Sequence, residues 1–121
     1  MNKPPKIPKY GNGVIIHDWM VRILGLQGDE LIIYAIIHSF SKDGESVFYG
    51  SINYLSFWTG KTKPTVLKVL KTLLAKCLIE KQEIQYTRRN PERHYCKYWT
   101  CFSRLDSESQ KELLSTRGLK I

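Results

Sequence analysis

The side chains of this 121-residue chain that could do chemistry are mostly cations. Lys61, Lys63, Lys68 and Lys71 recur through one stretch, with Thr65 and Thr72 among them, and Arg88, Arg89 and Arg93 cluster in a second. Ammonium and guanidinium groups at that density suit phosphate, which they neutralise and hydrogen-bond. The whole composition leans the same way. Against 11 Asp+Glu stand 19 Lys+Arg, and a net charge of +8 on so small a chain favours polyanions such as nucleic acid.

Other chemistries find less support. His17, His38 and His94 are scattered over different elements with no nucleophile–base setting, so the chain does not read as an enzyme. Gly60-Lys61-Thr62 ends like a phosphate-binding loop but lacks the earlier glycine and the strand before it. Cys77, Cys96 and Cys101 are an odd count without CxxC spacing, and read as free buried thiols rather than a disulfide framework or zinc site. No metal or small-molecule cofactor is implied. The longest apolar run, Leu31 to Ile37, falls far short of the roughly 18 residues of a membrane span. The opening MNKPPKIPKY has no hydrophobic signal segment, so the expected location is the cytoplasm, away from membranes.

Two devices must hold the cations in line. Ser51 to Ile79, SINYLSFWTGKTKPTVLKVLKTLLAKCLI, reads as two short helices joined by a tight turn. Ser51 is placed to cap the first, Thr59-Gly60-Lys61 makes the turn, and Thr62 caps the second. Pro64 falls in that helix's first turn, where its missing N–H costs nothing. The order matches a helix-turn-helix, whose second helix enters the major groove of DNA. By helical angle Val66, Val69, Leu70, Leu73 and Cys77 share the core face, with Thr65, Lys68, Lys71, Thr72 and Ala75 opposite. That opposite face is either a solvated lysine face or the DNA-reading one, and its place after a capped turn favours DNA. The second device is a β-hairpin, from alternating segments at Ile79–Thr87 and His94–Phe102 around the Asn90-Pro91 turn. Its arginine tip would lie along the DNA backbone or the minor groove. Tyr95, Tyr98, Trp99 and Phe102 read as sheet and core packing.

The remaining elements supply the scaffold. Residues 1–13 form a basic, proline-rich arm, read as a leader rather than a phosphate-tracking arm. Ile16, Trp19, Met20, Ile23 and Leu24 fall on one face of an amphipathic helix ended by Gly25. Asp29 caps the next helix, ELIIYAIIHSF, whose all-round apolarity makes it the buried centre, with His38 near its end on a local carbonyl. Val47-Phe48-Tyr49 is a short strand. After the domain at 14–103, a tail at 104–121 opens with the capping-box pattern Ser107-Glu108-Ser109-Gln110 and continues as a helix through about Ser115. It closes the domain or supplies a homodimer contact. The expected fold is therefore α+β: a winged helix-turn-helix with a three-helix core, a two-stranded wing and a short C-terminal helix.

The run from His17 to Lys81 resembles the winged-helix domains of phage, plasmid and other mobile-element proteins, among them N-terminal domains of replication initiators. The matching features are the W-M helix, GDELIIYAIIHSF, GS-x-x-YL-x-x-WTG, T-V-x-x-x-L-x-x-L and a closing LIEK. This resemblance implies double-stranded DNA as partner, with a reading helix at about 63–76 and a wing at 88–93, in a regulator or an origin binder. Cys77 departs from it, because the position before LIEK is usually a glycine that leaves the helix left-handed, so the exit here is expected to differ or to be strained. Phe57, Leu67 and Leu74 depart as well, standing where such motifs are usually polar. They widen the core contact or form an apolar edge for a partner protein or a second copy. That edge is the basis of the alternative function, an interaction module with only non-specific DNA binding.

Overall fold

The apolar run Leu31 to Ile37 lies at the middle of the fourteen-residue central helix α2, Gly28–Ser41, and Ile33 to His38 are all buried along it. The computed structural model describes residues 13–49, 52–85 and 94–118. Before α2 lies α1, Asp18–Arg22, and after it come β1, Phe48–Tyr49, then α3, Ile52–Thr59, and α4, Lys63–Ala75. Strands β2, Ile79–Gln85, and β3, His94–Thr100, follow. A 3-10 turn at Phe102–Arg104 then leads into α5, Ser107–Gly118. This is the expected α+β winged helix.

The sheet has one strand more than the expected hairpin. Its order is β1-β3-β2, antiparallel throughout, with Phe48 opposite Tyr98 and the β2–β3 register running from Ile79↔Thr100 to Gln85↔His94. Because side chains alternate across a strand, Tyr98 and Thr100 turn inward and are buried. Trp99 points outward. There its indole N–H donates to Glu80 Oε1 at 2.7 Å, and the Arg104 guanidinium lies 5.3 Å from its ring centroid. The core joins Met20, Leu26 and the α2 residues to Phe48, Leu55, Val66, Leu70, Leu73, Ile79 and Tyr98.

Several local expectations need correction. The first helix is only five residues long, because Leu24 and Leu26 turn back to bond the carbonyls of Trp19 and Met20, and Gly25 takes φ +69°. Ile15 and Ile16 stay exposed. Asp29 is not the cap of α2, since Gln27 holds that position and Asp29 sits in the first turn. His38 does not bond a local carbonyl; its Nδ1 meets the Thr100 hydroxyl across the core. The cap of α5 is Asp106, whose carboxylate accepts the Ser109 N–H at 2.7 Å, while the Gln110 amide donates to the Phe102 and Leu105 carbonyls. That helix packs against α1.

Candidate nucleic-acid interface

The turn between α3 and α4 is closed by its own side chains. Gly60, at φ +72°, donates its N–H to the Ser56 carbonyl at 2.8 Å, a left-handed step that L residues rarely make. The Thr59 hydroxyl donates to the Leu55 carbonyl and accepts the Lys61 N–H at 3.2 Å, and Ser56 Oγ donates to the Lys61 carbonyl. Thr62 is the N-cap of α4 by backbone conformation, and Pro64 stands in the first turn as expected. The Thr62 hydroxyl takes no helix N–H, however, and donates instead to Thr65 Oγ1 at 3.1 Å. Ser51, the expected cap of α3, lies outside the described residues.

The faces of α4 divide by contact. Val66, Leu70 and Leu73 are buried, Val69 and Leu74 pack partly against the core, and Lys63, Leu67, Lys68, Lys71 and Ala75 are exposed. Thr65 and Thr72 sit half-buried at the other margin, where the Thr72 hydroxyl is spent on the Lys68 carbonyl at 3.1 Å. Cys77 does not share the core face. The helix ends at Ala75, and Cys77 is exposed at φ +62°. The N–H of Leu78 reaches the Leu73 carbonyl at 3.1 Å and that of Cys77 the Leu74 carbonyl at 3.0 Å, the paired bonds of a Schellman ending. A glycine position is thus filled by cysteine without a change of path. Cys96 and Cys101 are half-buried, so none of the three thiols is fully buried; burial and the neighbouring Glu80 push the Cys101 thiol up.

Charge on the helix ends is not free. Lys61 Nζ lies 3.6 Å from the Asp29 carboxylate, and Lys76 Nζ donates to Glu30 Oε1 at 2.8 Å. One lysine before α4 and one after it are thereby tied to the first turn of α2. Asp29 and Glu30 are neighbours of the candidate site that local pattern does not reveal, since an acidic pair opening a helix reads equally as a dipole partner. Among the described residues, Lys63, Lys68 and Lys71 have no acidic partner. They remain available. Arg88, Arg89 and Arg93 lie outside the described residues, so the wing is described only through its strands. Of the suggested apolar edge, Phe57 and Leu67 are 61% and 46% exposed, whereas Leu74 is drawn against the core.

Residues 24–79 match a family model described as a helix-turn-helix domain. That span runs from the turn before α2 to the first residue of β2 and covers both helices of the motif. The chain thus contains a helix-turn-helix domain within an α+β winged helix. No curated protein and no solved structure matches it.

Proposed function

We propose that the protein binds double-stranded DNA, with α4 in the major groove and the wing along the flanking backbone. One observation carries the reading: the exposed face of α4 presents Lys63, Lys68 and Lys71 without acidic partners among the described residues. A helix N-terminus adds its own partial positive charge for phosphate. The helix-turn-helix match supports the same reading, and so does the net charge of +8. Thr65 and Thr72 stand at the edge of this surface. Arg88, Arg89 and Arg93 complete the proposed contact through the wing tip. The likeness to mobile-element winged helices extends the proposal to a regulator or an origin binder, and the C-terminal helix to a homodimer contact.

The test is duplex binding under salt titration. Each neutralised phosphate releases condensed counterions, so affinity must fall steeply as salt rises. Replacing Lys68 and Lys71 together by Ala should lower both affinity and the salt slope. Binding unchanged in that variant would sink the assignment of α4. Selection of bound sequences from random duplex DNA then separates the finer roles, and a palindromic winner would report a two-fold dimer.

A second reading, docking of a protein on the apolar edge, is favoured by the exposure of Phe57 and Leu67. Leu74, now part of the core margin, is withdrawn from that edge.

A further inference from the structure

The α4 sequence, KPTVLKVLKTLLA, contains no Arg, Asn, Gln, Asp or Glu. Those are the side chains that pair with guanine by a fork, with adenine by an amide, or with the cytosine amine by a carboxylate. What α4 offers is lysine, two threonines and apolar groups. The threonines stand half-buried at the margin, where the Thr72 hydroxyl donates to the Lys68 carbonyl and Thr65 Oγ1 accepts the Thr62 hydroxyl. On the exposed face there remain Lys68, Lys71 and, one turn from Lys63 and Lys71 alike, Leu67. Leu67 is left 46% exposed there, with a lysine one turn away on either side.

The major groove has one apolar group, the C5 methyl of thymine. We propose that Leu67 is a specificity-determining residue that seats against a thymine methyl, so that the protein prefers sites with thymine at one fixed position and distinguishes it from uracil. Lys68 and Lys71, flanking it, hold phosphate or the acceptor edge of guanine. This inference rests on the reading of α4 as the DNA-contacting helix. The flanking lysines are the argument for nucleic acid as the occupant, because a partner protein would have to desolvate them.

The experiment uses the full chain and the best duplex recovered from random sequences, with each thymine replaced in turn by deoxyuridine, which removes only the methyl. One buried methyl corresponds to about a fourfold change in affinity, or ~0.8 kcal/mol at ~1.4 kcal/mol per tenfold. Expected is one position where uracil weakens the wild-type chain about fourfold and leaves Leu67→Ala unaffected. Leu67→Gln should shift the preference at that position from thymine toward adenine, a change of specificity that a merely structural role would not produce. Tight duplex binding with no uracil-sensitive position, or with sensitivity kept in Leu67→Ala, overturns the inference and leaves the DNA-binding reading standing. Loss of self-association in Leu67→Ala with unaltered sequence preference would likewise overturn it, and mark the surface as a contact between copies. Absence of any salt-dependent duplex binding overturns the underlying reading instead.

Discussion

His38 Nδ1 and Thr100 Oγ1 share a hydrogen bond of 3.1 Å across 62 residues of sequence, joining the central helix to the last residue of β3. Both side chains are buried. The Thr100 N–H also donates to Ser41 Oγ, which in turn donates to the Ile37 carbonyl. Around the imidazole stand His17, Trp19, Tyr34 and Phe102, with ring centroids 5.4 to 6.2 Å away. The polar node is thus set inside an aromatic wall, where a charge is costly.

Acid should unfold the protein through this node. Burial, then the charges of His17 and Lys42, bring the His38 pKa down from 6.5 to about 4. A histidine depressed in the folded state binds its proton more readily when unfolded, so stability is complete above pH 6.5 and falls as the pH drops toward 4. The loss should be on the order of 2 kcal/mol after allowance for solvent screening. Asp43, held near 2 by the Ser46 N–H and hydroxyl and the Glu45 N–H, adds its own loss mainly below pH 4, between its unfolded value of 3.8 and its folded one. Urea midpoints between pH 7 and 4 measure the slope, and His38→Gln should flatten it.

Thr100→Val keeps shape but removes the hydroxyl. It should cost about 1–3 kcal/mol, because a buried imidazole nitrogen loses its partner, while Thr100→Ser should cost less by retaining the bond. A Val variant as stable as the parent would show that the node contributes nothing.

Cys77 sits where glycine is preferred. A left-handed conformation costs an L residue roughly 1–2 kcal/mol, part of which glycine returns through the unfolded chain's entropy. Cys77→Gly should therefore stabilise by up to about 1 kcal/mol and raise Tm by a few degrees. The β-branched Cys77→Val should lower it. Thermal unfolding of the two variants reads both signs.

The lysines should not count equally toward DNA. Lys71 is unpaired among the described residues, whereas Lys61 already faces Asp29 at 3.6 Å. Lys71→Ala should flatten the logarithmic salt dependence by roughly 0.9, the value for one phosphate contact, and Lys61→Ala by less. Asp29→Asn should steepen it. Anisotropy titrations on one duplex at several salt concentrations make the comparison.

Much of this architecture is legible in the amino-acid sequence. Helix α2 announces itself by its all-round apolarity and α4 by its periodicity and the Thr62–Pro64 start, whereas the left-handed exit is kept at Cys77, where a cysteine reads as a different or strained ending. What local pattern could not supply was partnership at a distance. His38 gives no sign of Thr100, and Asp29 reads as a cap until Lys61 is brought beside it. The first helix is shorter than its pattern suggests because Ile16 and Leu24 fit its apolar face, while the chain turns at Ile23. The engagement of β1 with β3 was equally hidden, since a two-residue strand carries almost no periodic signal.

The two sides of α4 share no residues. Val66, Leu70 and Leu73 fix the helix to the core, while Leu67, Lys68 and Lys71 face away from it. Exchange of the outward set leaves the anchoring set untouched, so this surface can be rewritten one side chain at a time without passing through an unfolded ancestor.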